Sequence, residues 1–104
     1  MTKFRLSRII EVKEKLIEDK ERELEGALSI LNDLSARIDL MERDRENNYS
    51  RLTMPAMSGG DFSVIKDYLS YLEKKKLCLL DEKAATLTRI DHLRLDLTEL
   101  LKEL

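Results

Sequence analysis

Apolar residues recur along this chain at alternating steps of four and three from Leu6 to Leu52. In heptad terms, with positions a to g and the seam at a and d, Ile10, Ile17, Leu24, Leu31, Ile38 and Leu52 fall at a. Leu6, Ala27, Leu34 and Met41 fall at d. A repeat of 3.5 residues stays on one side of a helix only if that helix supercoils around a partner, because a straight helix of 3.6 residues per turn lets the stripe drift. The pattern predicts a coiled-coil helix over about residues 3–53. Thr2 suits its N-cap, since a hydroxyl there can accept an orphan backbone N–H.

One cluster of helix-breaking residues follows: Met54-Pro55-Ala56-Met57-Ser58-Gly59-Gly60-Asp61. Pro55 removes a backbone donor and disfavours helical geometry at Met54, Gly59-Gly60 permits positive φ, and Asp61 suits the N-cap of a second helix. A turn is therefore predicted over about residues 54–61. The seam resumes with Phe62, Leu69, Ile90, Leu97 and Leu104 at a, and Ile65, Leu72, Leu79, Leu93 and Leu100 at d. That predicts a helix over about residues 62–104. Its middle is weaker: Lys76, Lys83 and Thr86 stand at seam positions, while Leu80, Ala84 and Leu87 form an apolar line one residue over. A local shift of register would turn that line inward, as stutters do.

A connection of this length joins antiparallel neighbours, so the fold expected is all-α, a single antiparallel two-helix coiled-coil hairpin over 1–104. With the reversal near Met57, facing residues have numbers summing to about 114. Leu52 then meets Phe62, and Ile10 meets Leu104. The first nine residues have no opposite strand.

Polar residues inside the seam refine this expectation. Lys13, Lys20 and Asn48 fall at d and Arg45 at a. Such residues weaken a coiled coil but fix register and partner number. On the outer faces, Glu11 with Lys15 and Glu18 with Arg22 have the favourable i,i+4 order. Gly26 falls at c, facing outward, where it costs about 1 kcal/mol relative to alanine.

Composition excludes more than it suggests. With 38% charged residues, 5% aromatic residues and no Trp, the chain has the balance of solvated helices. A net charge of −2 argues against a nucleic-acid partner, which needs a clustered cationic excess. Cys78 is the only cysteine, so no internal disulfide is available. No apolar run approaches the ~20 residues that span a bilayer, and the start has no uninterrupted apolar core of a signal peptide. A soluble, cytoplasmic protein is expected. His92 has no second histidine or cysteine at ligand spacing, and the acids lie spread along outward faces. No catalytic residue, metal site or cofactor is therefore expected.

The candidate site is instead the beginning of the chain. Lys3, Arg5 and Arg8 interleave with Phe4, Leu6 and Ile9. The helix macrodipole prefers acids in a first turn, so cations here suit an external acidic partner, or else serve only as solubilising residues beside the seam. Exposed apolar surface rimmed by charge is a signature of a partner site.

The opening Lys3-Phe4-Arg5-Leu6-Ser7-Arg8-Ile9-Ile10-Glu11-Val12-Lys13 resembles the start of FliJ-type proteins, the cytosolic stalk of the flagellar type III export apparatus. Asp67-Tyr68-Leu69-Ser70-Tyr71-Leu72 is similar to their aromatic-rich stretch after the turn. Family members look like the two-helix coiled coil of a rotary-ATPase central shaft, and typical members are longer by several heptads. The resemblance implies a non-enzymatic stalk or adaptor that touches the inner-membrane export apparatus peripherally. Its partners would be the flagellar export ATPase hexamer, the cytoplasmic domain of the membrane export gate, and export chaperones. It assigns Lys3, Phe4, Arg5, Leu6, Arg8 and Ile9 to the ATPase, and Tyr49 and Tyr68 to the gate, although at e and g these two rings equally suit packing at the edge of the seam. The stalk of virulence-type injection systems is a close variant. The alternative from another class is a self-assembling structural coiled coil, a homodimer whose chains pair through the polar-broken seams and the e-position leucines Leu28, Leu80, Leu87 and Leu101.

Overall fold

The computed structural model describes the backbone of residues 2–52 and 59–103, with side chains from residue 5 onward. The described residues form two helices, α1 (Thr2–Leu52) and α2 (Gly59–Lys102), and no strand. The fold is an all-α helical hairpin. Met1, Met54, Pro55, Met57 and Leu104 lie outside the described residues, and with them the expected reversal and the pairing of Ile10 with Leu104.

The second helix begins three residues earlier than the N-cap preference of Asp61 suggests. Gly59 and Gly60 are helical, and neither adopts a positive φ. In a first helical turn the backbone N–H groups lack intrahelical partners anyway. Asp61 keeps a favourable role there, as an acid in the first turn, at the positive end of the helix dipole.

The chain divides into two compact units, one of Met1–Leu31 with Ala85–Leu104 and one of Asn32–Ala84. In the first, Ala27, Ile90 and Leu93 are buried together, with Leu24, Leu28 and Leu31 packed against them. Lys13 pairs with Glu103 and Lys20 with Asp96. Advancing along α1 thus matches retreating along α2, which makes the segments antiparallel.

The second unit holds two apolar clusters. Leu34, Ile38 and Leu79 form one, and Ile65, Leu69 and Leu72 the other, with Met41 against both. Leu52 packs on the second cluster, near the start of α2. Glu42 pairs with Lys76 and Arg45 with Glu73, so here too the segments run antiparallel. Each fully buried Leu or Ile contributes about 1.5–3 kcal/mol by leaving water.

Seam register holds along both helices. From Lys13 to Leu52 every a and d position is buried or half-buried, and the same is true from Ile65 to Leu100. No stutter occurs in α2: Lys76, Lys83 and Thr86 keep their seam places, and Leu80, Ala84 and Leu87 stay exposed. A lysine tolerates such a place because its aliphatic stem covers apolar surface while its ammonium reaches outward. Lys76 does this by reaching Glu42.

Three other seam cations follow the same rule. Lys13, Lys20 and Arg45 each leave the seam to meet an acid at an e or g position of the opposite helix. Asn48 is buried and instead bonds within its own helix, its amide donating to the Asp44 carbonyl at 2.7 Å and carboxylate at 3.2 Å. On the outer face, Glu18 pairs with Arg22 at 3.8 Å, whereas Glu11 and Lys15 form no pair.

Candidate partner-binding surfaces

The first turns of α1 present their apolar residues to solvent. Leu6 and Ile10 hold seam positions yet are 56% and 47% exposed, and Ile9 is 51% exposed. The described residues of α2 end at Glu103, alongside Lys13, so nothing described in α2 faces residues 5–10. Arg5 and Arg8 are exposed and form no ion pair among the described residues. The first turn of α1 contains no acid to offset the positive end of its dipole. The side chains of Lys3 and Phe4 lie outside the described residues.

The predicted tip residues divide between the two flanks of the seam. Arg5, Arg8 and Ile9 line a groove of about 670 Å³, together with Val12, Lys13, Leu16 and Glu103. Leu6 lines another, with Ser7, Ile10, Glu11 and Glu14. Sequence reasoning missed Val12 and Leu16 as surface residues. Their signal was present, since steps of three and four from Ile9 place all three on the c/g flank. Glu103 came to light only with the pairing of the helices.

Tyr49 and Tyr68 flank the seam, as their e and g positions imply, but they do not share a surface. In an antiparallel pair, e positions neighbour e positions and g neighbours g. Tyr49 accordingly lies beside Leu52, Phe62, Lys66, Leu69, Ser70 and Glu73. Tyr68 lies beside Asp44, Asn48, Arg51, Asp61, Val64 and Ile65.

Each ring is held by α1. The Arg45 guanidinium sits 5.3 Å from the centroid of Tyr49, a cation–π distance. Hydrogen bonding to Tyr49, then the charge of Glu73, pushes Arg45 further towards its protonated form. The Tyr68 hydroxyl donates to the Asp44 carboxylate. That bond raises the phenol pKa above its ordinary 10.0, and burial and the charge of Asp44 add to the effect. Tyr71, absent from the predicted site, stacks on Tyr68 with centroids 6.2 Å apart and planes 22° from parallel.

Cys78 and His92 are exposed, and among the described residues no three His, Cys, Asp or Glu side chains gather as metal ligands. None of the described helices is long and apolar enough to cross a membrane. Glu42 is held by Lys76, which lowers its pKa by hydrogen bonding against the opposing effect of burial. No family model, curated protein or solved structure matches this chain.

Proposed function

We propose that this protein is a stalk or adaptor of the flagellar type III export apparatus, without chemistry of its own. It binds the export ATPase ring through the first turns of α1, and links that ring to the cytoplasmic domain of the export gate and to export chaperones. It acts in the cytoplasm at the inner-membrane export apparatus.

The observation that carries the reading is the exposed start of α1. Seam residues Leu6 and Ile10 are exposed there, beside two arginines that pair with no acid among the described residues. The opening sequence resembles that of FliJ-type stalks over this same stretch. A helical stalk with no active site can work by differential binding, contacting the subunits of a ring unequally and biasing their states. Tyr49 and Tyr68 lie on opposite flanks, so each would meet the gate on a different side of the hairpin.

The test is substitution of the two arginines, Arg5→Glu with Arg8→Glu. Loss of ATPase binding and stimulation, with helicity unchanged, is expected. Full retention of both would overturn this placement of the contact.

A specific observation favours a second reading, the self-assembling coiled coil. The unbroken register leaves the e-position leucines Leu80, Leu87 and Leu101 exposed on α2. Leu28, the fourth residue of that set, is half-buried against Ala27, Ile90 and Leu93. A monomer at all concentrations would dismiss self-assembly.

A further inference from the structure

We infer that the groove beside the start of α1 takes an amphipathic helix with carboxylates clustered near one end of its apolar stripe. Ile9, Val12 and Leu16 form the floor, and all three are exposed large apolar residues outside the seam. Their spacing of three and four residues is the footprint that a helix laid alongside α1 would contact.

Charge on the rim selects the occupant. Lys13 is already engaged, its Nζ 3.2 Å from the Glu103 carbonyl oxygen and 3.9 Å from the carboxylate. That leaves Arg5 and Arg8, neither of them ion-paired among the described residues, at the end of the groove nearest the start of α1. Two guanidiniums on one groove, three residues apart near a helix start without acids, favour carboxylates, and arginine can bind them bidentately. Glu103 stands towards the other end and disfavours acids there, so the rim also sets direction. The occupant lies with its acidic end at Arg5 and Arg8.

This deepens the stalk reading, on which it rests for the identity of the partner: the part of the ATPase that docks here would be such a helix. The ligand class itself can be tested without the ATPase. The probe is a labelled, stapled helical peptide with leucines spaced by three and four residues and glutamates at one end. An isomer carries lysines in place of the glutamates. Fluorescence anisotropy with the full chain should show the acidic peptide binding at least about tenfold more tightly than the basic one, an advantage that salt reduces. Arg5→Glu with Arg8→Glu should reverse the preference, and Val12→Glu with Leu16→Glu should abolish binding of both peptides. Absence of binding, or equal binding of the two isomers, would overturn the inference.

Two further outcomes separate it from the stalk reading. If the acidic peptide binds but the ATPase does not, the ligand class stands and the stalk reading fails. If the ATPase binds equally well to the Val12→Glu, Leu16→Glu protein, the groove is not its contact, and this inference fails while the stalk reading survives.

Discussion

Lys13 of α1 is tied to the end of α2 twice, through its ammonium to the backbone carbonyl of Glu103 at 3.2 Å and to the carboxylate at 3.9 Å. A cation at a helix C-terminus meets carbonyls that lack helical partners, so Lys13 acts as a C-cap supplied by the other helix. Lys13→Glu puts like charges together and removes the donor. It should cost less than about 1 kcal/mol globally, because the pair is partly exposed. Amide exchange in the last turn of α2 should nevertheless speed up markedly. Unchanged exchange there would show that the tie does not hold that turn.

Leu79 is 2% exposed and packs between Leu34 and Ile38. Truncation to alanine leaves a void that a two-helix core has few neighbours to fill. Leu79→Ala should destabilise the protein by about 2–4 kcal/mol, read from the urea midpoint. The exposed Leu77→Ala should change the midpoint little, and a comparable loss there would contradict the observed register.

Gly26 offers a gain in stability. It faces outward in α1, and nothing lies within 4 Å of where a Cβ would stand. Gly26→Ala should therefore stabilise by about 1 kcal/mol, visible as a higher melting temperature. A lower one would mean that α1 requires the glycine.

The Glu42–Lys76 pair gives the fold a dependence on pH. Hydrogen bonding to Lys76 lowers the Glu42 pKa below its ordinary 4.5 despite the opposing effect of burial, with the charges of Lys76 and Arg45 assisting. An acid whose folded pKa is depressed lends stability that is complete above its unfolded pKa and is lost as pH falls through the folded one. Glu42→Gln should lower the melting temperature at neutral pH, and the difference from the unaltered protein should shrink in acid below the ordinary 4.5. A difference that persists undiminished in strong acid would assign the effect to packing.

The hairpin was legible because the seam repeat is a geometric requirement: residues such as Ile17, Leu34, Leu72 and Ile90 are buried where the heptad puts them. Three details were not. Hydropathy alone suggested a stutter at Lys76 and Lys83, because it scores a lysine by its charge and ignores the stem that occupies the seam. The start of α2 at Gly59 was hidden because glycine and aspartate suit both a turn and a first helical turn. The bonds of Tyr68 to Asp44 and of Lys13 to Glu103 join residues far apart in sequence, so they emerge only once the antiparallel pairing is known. At the candidate site, the apolar and basic character of residues 5–9 was readable, but its division between two flanks required the helix positions to be seen together.

Sedimentation equilibrium tests the central claim most directly, first on the purified protein over a wide concentration range and then with a flagellar export ATPase added. The stalk account predicts a monomer that moves into a complex with a ring of ATPase subunits, and that fails to do so when Arg5 and Arg8 are both glutamate. A stable homodimer indifferent to the ATPase would contradict it and leave a self-assembling coiled coil in its place.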